Sequence, residues 1–250
     1  MSSTNIETLA ETIQTARHIV AFTGAGMSTD SGIPDFRSPG GKWTQVKPVM
    51  FQDFISDHES RYEYWRQKSE GFEEFGTAEP NAGHRMLATW EKERGLSGIV
   101  TQNIDGLHQD AGSKSVIEIH GTAREVQCLR CGFRDRADDY CKYFLREQKV
   151  PACPACNAGL LKHATISFGQ PLEASVLKAA TALVRTADLM LVMGTSLVVE
   201  PAASLPVTAK QYGAKLVIVN RDATQHDSFA DLVIRDNIAK TLTAIEAMLS

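Results

Sequence analysis

The sequence predicts an α/β fold in which a doubly wound parallel sheet carries a smaller module that is partly helical and contains four paired cysteines. Three observations predict it. Short apolar runs rich in β-branched residues alternate with stretches of helical periodicity along most of the chain, a pattern typical of a parallel sheet covered by helices. The apolar runs end in glycines or polar residues. Two Cys-x-x-Cys pairs lie where the alternation is interrupted.

Six apolar runs have the length and composition of buried strands. They are residues 18–22, 98–100, 116–119, 187–193, 215–219 and 231–234. Helical patterns lie between or beside them, at residues 4–16, 81–94, 172–185, 202–211 and 238–249. In a sheet of this kind, ligands bind at the carboxyl ends of the strands. We therefore expect the polar residues that follow the runs to lie in one crevice.

Two stretches break the alternation and predict the smaller part of the molecule. Residues 38–80 are rich in aromatic and charged residues and are expected to form a helical insert or lid, and residues 124–162 contain the cysteine pairs. A chain of 250 residues fits one large domain with a small inserted module. We therefore expect a single domain over 1–250, whose parallel-sheet part is formed by residues 1–37, 81–123 and 163–250.

Composition and charge exclude several classes of protein. The formal net charge of -4 argues against a nucleic-acid-binding protein, because phosphate neutralisation needs a basic surface. No apolar run reaches the roughly 18 residues of a membrane span, and the N-terminal residues lack the basic and apolar regions of a secretory signal. Five cysteines, four of them in close pairs, are typical of a metal site in a reducing compartment. We expect a cytoplasmic protein without membrane or nucleic-acid partners.

The first motif, TGAGMS at residues 23–28, directly follows a predicted strand. Glycines at such a turn let the backbone approach a pyrophosphate while amide N–H groups point at it. The motif is an incomplete dinucleotide fingerprint, since Thr29 stands where a third glycine is expected, and alone it fits a structural turn equally well. The continuation, DSGIPDFR, places Phe36 and Arg37 beyond the loop. A core aromatic and a surface charge are the simpler interpretations of these two residues.

The second motif, TQNIDGLH at residues 101–108, places polar side chains at the end of an apolar strand. Such groups are costly to bury unless they are hydrogen-bonded, and the amide and hydroxyl groups of a ligand would satisfy them. His120 closes the next predicted strand, where an imidazole can act as a base near neutral pH. It is the best candidate for a base among the seven histidines, although a single histidine is more often structural.

The third motif comprises two Cys-x-x-Cys pairs, Cys128 with Cys131 and Cys153 with Cys156. Tetrahedral zinc accepts two such thiolate pairs, and their separation is typical of a zinc ribbon. Four thiolates leave no open coordination position, which predicts a structural rather than a catalytic metal. A redox-active dithiol is the alternative. Cys141 lies between the pairs and is expected to be a free thiol.

The fourth motif, GTSL at residues 194–197, follows the apolar run 187–193 and supplies amides and hydroxyls for a second phosphate-side loop. Asn220 ends the next run, where dinucleotide folds usually place an acidic residue against the adenosine ribose. An amide side chain can make a similar hydrogen bond. Each feature alone is also compatible with an ordinary loop.

Together, these residues resemble the sirtuin family of NAD-dependent protein-lysine deacylases. The matching segments are residues 24–37, 101–108, 120–121, 168–169, 194–197 and 219–220, together with the four cysteines. They occur in the order and spacing of the family and span nearly the whole chain. The resemblance implies a Rossmann domain, a smaller zinc-ribbon and helical module, and a cleft between them. It also implies NAD and a structural Zn2+ as cofactors, and acyl-lysine proteins or peptides as substrates.

The resemblance further implies roles for individual residues. His120 would be the general base that deprotonates a ribose hydroxyl, with Asn103 as a second catalytic residue, and the products would be free lysine, nicotinamide and O-acyl-ADP-ribose. Ile33, Ile104 and Asp105 would form the pocket for the nicotinamide carboxamide. The full set of expected NAD contacts is Gly24, Ala25, Thr29, Ile33, Phe36, Arg37, Gln102, Ile104, Asp105, Gly194, Thr195, Ser196, Asn220 and Ile238. The peptide is expected to lie as an added strand that contacts Phe168, Gly169 and Val198.

The chain departs from the family pattern at two positions near the expected peptide. His163 stands where the family commonly has a proline, and Gln170 stands where it commonly has an acid. The subfamily that prefers succinyl and malonyl groups has a Tyr-x-x-Arg pair, which residues 61–66 do not supply. The sequence therefore favours uncharged acyl groups such as acetyl.

Three other functions are weighed against this hypothesis. ADP-ribosyl transfer or NAD hydrolysis would use the same cofactor but needs no ribose-hydroxyl base, so His120 argues against both. A non-enzymatic zinc-ribbon adaptor would have no use for the polar strand ends, and residues 124–149 carry a surplus of only two basic side chains. A Rossmann oxidoreductase is disfavoured because residues 35–37 replace the usual helix.

Overall fold

The computed structural model describes residues 3–35, 41 and 46–249. Among these residues, a six-stranded parallel sheet, termed the large sheet, forms the centre of the molecule, and a three-stranded sheet, termed the small sheet, lies beside it. The large sheet consists of β1 (Ile19–Thr23), β2 (Leu96–Thr101), β3 (Val116–Glu118), β7 (Leu189–Met193), β8 (Lys215–Val219) and β9 (Leu232–Ile234). The small sheet consists of β4 (Gly121–Cys128), β5 (Arg134–Arg136) and β6 (Leu161–Thr165).

The strands of the large sheet have the spatial order β3-β2-β1-β7-β8-β9. All neighbouring pairs are parallel, and the order reverses direction between β1 and β7. This is the doubly wound topology expected from the sequence. Ligands bind at such a reversal, outside the carboxyl ends of the strands, so the loops after β1 and β7 flank the expected crevice.

Helices cover both faces of the large sheet. The helices in the described residues are α1 (Ser3–Thr15), α2 (Phe51–Ser56), α3 (His58–Glu70), α4 (Phe72–Thr77), α5 (Ala82–Glu93), α6 (Leu107–Asp110), α7 (Asp138–Glu147), α8 (Ala174–Arg185), α9 (Leu205–Gln211) and α10 (Ile238–Leu249). After β1 the chain forms two short 3-10 turns, Ala25–Met27 and Thr29–Ser31. Within the described part of the chain, none of the helices combines the length and apolar character needed to cross a bilayer.

Alternation along β1 explains why the molecule has an apolar core on each face of the large sheet. Ile19 and Ala21 pack in a cluster with α1, α5 and α10, whereas Val20 and Phe22 pack in a cluster with α8 and α9. Every residue of β1 and of β7 is buried. Strands covered on both faces are continuously apolar rather than alternating, which is the pattern present in the sequence.

The small sheet has its own core. Strand β4 pairs antiparallel with both β5 and β6. Its apolar side chains pack against α2, α3 and α7 in a cluster that includes Phe54, Tyr64, Trp65, Val126, Phe144 and Leu161. Helices α2, α3 and α4 lie within the region expected to be a helical insert. The small sheet and these helices therefore share one set of buried side chains.

Candidate active site

A cleft of about 1600 Å³ follows the carboxyl edge of the large sheet and extends to the small sheet and to α3 and α4. It brings together residues that are far apart in the sequence. The predicted site residues that line it are Gly24, Ala25, Thr29, Ile33, Gln102, Asn103, Ile104, Asp105, His120, Phe168, Gly169, Gly194, Thr195, Ser196, Asn220 and Ile238. A pocket for one small ligand typically has about 300–1000 Å³. This cleft therefore has room for a dinucleotide and part of a second substrate.

Three predicted residues stand apart from this group. Phe36 and Arg37 lie outside the described residues. Val198 is 39% exposed and lies outside the lining of the cleft, whereas its neighbour Val199 lines it. The segment after the GTSL motif thus contributes to the cleft through Val199.

The loops after β1 and β7 pack tightly against each other. The N–H of Gly24 donates to the carbonyl of Met193 at 3.1 Å, and the N–H of Gly26 donates to the carbonyl of Gly194 at 2.8 Å. A Cβ at Gly24 would lie 2.7 Å from Thr195 Cβ, and a Cβ at Gly26 would lie 2.8 Å from Gly194 Cα. Glycine is therefore required where the two loops meet. The expectation that the amides of this motif point at a pyrophosphate is wrong for Gly24 and Gly26, because the carbonyls of Met193, at the end of β7, and Gly194, in the loop after it, accept these two N–H groups.

Polar side chains at the ends of β1 and β2 form a buried network on one wall of the cleft. Ser28 Oγ donates to the carboxylate of Asp105 at 2.7 Å. Asn103 Nδ2 lies 3.0 Å from the carbonyl of Gly24 and 3.1 Å from Ser28 Oγ. Asn103 and Asp105 are each 7% exposed, and these partners offset the cost of burying them. The sequence did not single out Ser28 as a site residue, although its place inside the glycine motif was a usable signal.

His120 lies between β3 and β4 and lines the cleft. Its Nδ1 is 3.1 Å from the carbonyl oxygen of Gln102. A carbonyl oxygen only accepts hydrogen bonds, so we assign the proton of the neutral imidazole to Nδ1, and Nε2 carries the lone pair. The side chain of Gln102 donates to Thr195 Oγ1 at 2.8 Å, which links this position to the loop after β7. A half-buried imidazole held in one tautomer has the properties of a general base.

Two other histidines lie close to the site but outside the described lining of the cleft. The rings of His84 and His108 are 4.8 Å apart, and His108 Nε2 is 2.9 Å from Thr23 Oγ1. Burial lowers the pKa of His84 to about 4 and the pKa of His108 to about 3. Both are therefore neutral near pH 7, and His108 contacts Thr23 at the end of β1.

The four predicted cysteine ligands come together at the end of the small sheet. Cys128 Sγ is 3.7 Å from Cys156 Sγ, and Cys131 Sγ is 3.6 Å from Cys153 Sγ. All four sulfur atoms lie within 4.8 Å of one another. In a tetrahedral site with Zn–S bonds of about 2.3 Å, neighbouring sulfurs are about 3.8 Å apart. The donor set and its spacing therefore fit a structural zinc ion.

A family model described as the Sir2 family matches residues 24–201, which include the glycine loop, the polar strand ends, His120 and the four cysteines. The chain belongs to the Sir2 family, the sirtuins. The match covers more than half of the chain, so the membership applies to the protein as a whole and not to one motif.

Individual sirtuins are similar to this chain over almost its full length. An NAD-dependent protein deacetylase of Rhodopseudomonas palustris is 45% identical over 242 residues, which are 96% of this chain and 95% of the relative. A solved structure described as "Sir2-p53 peptide-NAD+" has a TM-score of 0.88 and 38% identity, and covers 98% of this chain and 99% of its own. Another, "Sir2 bound to acetylated peptide", has a TM-score of 0.88 and 37% identity with the same coverage.

His163, one of the departures of this sirtuin from the family pattern, is accommodated in the core of the small sheet. It is 1% exposed, and its Nε2 lies 3.5 Å from Cys141 Sγ. Burial lowers the pKa of His163 well below its usual value and raises the pKa of Cys141 to about 11. Both groups are therefore neutral near pH 7. Cys141 is a free thiol, as expected from the sequence.

The second departure, Gln170, lies in the loop that follows β6. Its side-chain oxygen accepts a hydrogen bond from the N–H of Ser167 at 3.1 Å, so the side chain turns back on its own loop. In the same loop, the carbonyl of Phe168 accepts from the N–H of Phe51 at 2.8 Å. These two hydrogen bonds fix the loop, one within itself and one to the start of α2.

Proposed function

We propose that this sirtuin removes acetyl groups from lysine side chains of proteins in an NAD-dependent reaction. The products are free lysine, nicotinamide and O-acetyl-ADP-ribose, so the enzyme is a transferase that passes the acyl group to the ribose. One observation carries the proposal. His120 lines the cleft with Nδ1 bound to the carbonyl of Gln102, which leaves Nε2 as the basic nitrogen. An adaptor protein has no use for a base held in this way.

Several residues of the cleft are suited to hold NAD. Ala25, Thr29 and Ser196 lie where the two glycine loops meet and are proposed to contact the phosphates, with Gly24, Gly194 and Thr195 shaping the loops. Asn220 and Ile238 lie at the end of the cleft assigned to the adenosine. Ile33, Ile104 and Asp105 are proposed to form the nicotinamide pocket. The fit rests on the strand order, which reverses between β1 and β7, where dinucleotides bind in this fold class.

The chemistry can be assigned to side chains in the cleft. When bound, NAD supplies a ribose carbon that becomes electrophilic as nicotinamide leaves. Ile33, 6% exposed, and Ile104 present apolar surface that keeps water away from this point. Gln102 and Asn103 are proposed to face the nicotinamide ribose. His120 accepts a proton from a ribose hydroxyl at Nε2, and its Nδ1–H bond to Gln102 becomes charge-assisted at that moment.

Zinc is assigned a structural role. Cys128, Cys131, Cys153 and Cys156 would saturate a tetrahedral ion, so the metal contributes to folding and has no open position for a substrate. We also propose that the chain is one catalytic domain, with a Rossmann-like part, a helical insert over residues 38–80 and a zinc-ribbon module over residues 124–162. The separate apolar clusters around the two sheets support this division.

We further propose that the substrate peptide lies extended across Phe168, Gly169 and Val198, where main-chain hydrogen bonds supply affinity. A cytoplasmic location is proposed because a four-thiolate zinc site needs reduced cysteines. The net charge of -4 supports proteins rather than nucleic acid as partners.

Product analysis tests the proposed function. The purified protein is incubated with NAD and matched lysine peptides that carry acetyl, propionyl or succinyl groups, and the products are identified by mass spectrometry. We expect one nicotinamide and one O-acyl-ADP-ribose for each lysine released, with acetyl-lysine preferred over succinyl-lysine. Reactions without NAD are the control. Free ADP-ribose with an unchanged peptide, or ADP-ribosylated peptide, would replace deacetylation by NAD hydrolysis or ADP-ribosyl transfer.

A further inference from the structure

Strand β4 connects the two functional parts of the molecule. It begins one residue after His120 and ends at Cys128, one of the zinc ligands. Its first residues also contact the loop at residues 104–106, termed the 104–106 loop, which follows β2. This loop contains Ile104 and Asp105, two residues proposed above for the nicotinamide pocket. A side chain of β4 that holds this loop would therefore act on the pocket from the small sheet.

Strand β4 donates one hydrogen bond to the main-chain carbonyl of Ile104 and one to that of Asp105. The N–H of Ala123 donates to the carbonyl of Ile104 at 2.9 Å, and Arg124 Nε donates to the carbonyl of Asp105 at 2.9 Å. The carboxylate of Asp105 accepts from Ser28 Oγ at 2.7 Å and from the N–H of Leu107 at 3.0 Å. The loop is thus fixed by the small sheet on one side and by the glycine loop on the other.

The guanidinium of Arg124 is itself held in place. It makes a bidentate salt bridge to Asp110, in which Nη1 lies 2.8 Å from Oδ1 and Nη2 contacts Oδ2. This bond lowers the pKa of Asp110 and raises the pKa of Arg124, so both stay charged. Gly106 has a φ of +72°, and a Cβ at this position would overlap the guanidinium. The chain therefore leaves space at residue 106 for the arginine to lie against the loop.

The exposure of the ion pair argues against a role in overall stability. The side chains of Arg124 and Asp110 are 45% and 39% exposed, and both residues line the cleft. Exposed ion pairs contribute little to the free energy of unfolding. The hydrogen bond from Nε to the main-chain carbonyl of Asp105, in contrast, fixes the position of the 104–106 loop.

We propose that Arg124 is a positioning residue for the nicotinamide end of the NAD site and that it couples this end to the zinc-bearing small sheet. The inference rests on the proposed function, because the role of the 104–106 loop comes from it. Arg124 fixes the carbonyl of Asp105, and through it the direction of Ile104 and of the Asp105 carboxylate. Its loss would weaken NAD and nicotinamide binding without changing the binding of the peptide.

The test compares Arg124→Gln with the control Arg134→Gln. Arg134 lies in β5 and forms an exposed ion pair with Glu125 at 3.3 Å, away from the 104–106 loop. NAD binding is measured by calorimetric titration, and the KM for NAD, the KM for an acetyl-lysine peptide and inhibition by nicotinamide are measured by steady-state kinetics. For Arg124→Gln we expect Kd and KM for NAD and the nicotinamide IC50 to rise on the order of tenfold, since small displacements of positioning groups can cost up to about 100-fold. The peptide KM should change less than twofold, and Arg134→Gln should match the wild type.

Zinc content and Tm are measured for every variant. If Arg124→Gln loses zinc or unfolds, Asp110→Asn and Arg124→Lys test the inference in its place. Asp110→Asn keeps the hydrogen bond from Arg124 Nε to the Asp105 carbonyl, whereas Arg124→Lys keeps only the positive charge. Arg124→Lys should then show the larger loss of NAD affinity. An unchanged Kd for NAD in a folded, zinc-loaded Arg124→Gln, or an equal loss of peptide affinity, would overturn the inference. Since NAD titration needs no turnover, a wild type that binds NAD but does not deacetylate would refute only the proposed function.

Discussion

The two sheets of this sirtuin are held together in different ways. In the large sheet, all residues of β1 and β7 are buried between layers of helices. In the small sheet, all residues of β6 are buried, but all three residues of β5 are exposed, and the buried residues of β4 are Val126 and Cys128. Burial of apolar surface contributes roughly 25 cal/mol per Å², so β5 and the first half of β4 contribute less of this driving force than the central strands of the large sheet.

The buried cluster of the small sheet is rich in cysteine and aromatic side chains. Cys128, Cys141 and Cys153 are all part of the buried cluster of the small sheet, together with aromatic side chains from α2 and α3. Binding of a metal by the paired cysteines would add folding free energy to this cluster. His120, the proposed general base, lies where the two sheets meet, between β3 and β4.

The largest effect is expected from the zinc ligands. Cys128→Ala and Cys153→Ala should release the metal and unfold the small sheet, because zinc binding supplies about 10–16 kcal/mol of apparent free energy in such modules. Cys141→Ser is the matched control and should keep zinc. Metal analysis, circular dichroism and the deacetylation assay measure the outcome. A double-cysteine variant that stays folded and active without metal would show that the small sheet is stable without zinc.

His120→Ala should abolish most activity and leave both sheets folded. We expect the deacetylation rate to fall by a factor on the order of 100 or more, which is what a general base typically contributes. The side chain is half-buried at the cleft, so Tm and zinc content should change little. Exchange of labelled nicotinamide into NAD should be less affected, because it precedes the step that needs the base. A purified variant with the wild-type deacetylation rate would remove His120 from the mechanism.

Glu118 gives a smaller, pH-dependent effect at the edge of the large sheet. Burial raises its pKa from 4.5 to about 7. The folded state thus binds the proton more tightly than the unfolded chain, and the free energy of unfolding falls as the pH rises from about 4.5 to 7. Glu118→Gln should therefore stabilise the protein by about 1–3 kcal/mol at pH 8, at about 1.4 kcal/mol per pKa unit.

The same substitution should have little effect on stability near pH 4.5, where the wild-type side chain is protonated in the folded state. Glu125→Gln, whose side chain is 44% exposed on β4, serves as the control. Urea unfolding at both pH values measures the difference. Equal changes at pH 4.5 and pH 8 would mean that the ionisation of Glu118 does not affect folding.

The smallest effect is expected at Gln170, beside the proposed peptide strand. A carboxylate at this position can still accept the Ser167 N–H, so Gln170→Glu should keep the loop and add a charge that attracts basic peptides. Exposed charge pairs contribute about 0.2–1 kcal/mol, which predicts a KM for basic-flanked acetyl peptides that is lower by a few fold, mainly at low salt. Neutral-flanked peptides are the control. Equal KM ratios in wild type and variant at all salt concentrations would show that residue 170 does not sense peptide charge.

The large sheet was predictable because burial on both faces leaves continuous apolar runs. The run predicted at 215–219 is β8, Lys215–Val219, and the helix predicted at 238–249 is α10, Ile238–Leu249. The strands of the small sheet were not predicted. The segment 121–128 has charged residues in its middle and β5 is Arg-Asp-Arg, so neither carries an apolar pattern. Their pairing depends on contacts between distant parts of the chain.

In the candidate site, too, some features were predictable from the sequence and others were not. The cysteine spacing and the strand-end motifs predicted which residues would meet in the cleft and at the metal site. The partners that hold them were not predicted, since Ser28 bonds to Asp105 across 77 residues of sequence. The direction of the Gly24 and Gly26 amides was mispredicted for a similar reason. Their acceptors are Met193, at the end of β7, and Gly194, just after it, which no local pattern connects to the loop after β1.

Hydrogen exchange with and without zinc tests most directly the claim that the two sheets are stabilised by different forces. Amide protection reports the local free energy of opening along the chain. After removal of zinc with a chelator, we predict that β4, β6 and α7 lose protection while β1, β7 and β8 keep it. We also predict that the 104–106 loop exchanges faster, because an unfolded β4 no longer holds Arg124 against it. Uniform loss of protection in both sheets, or unchanged protection in β4 and β6, would contradict the account.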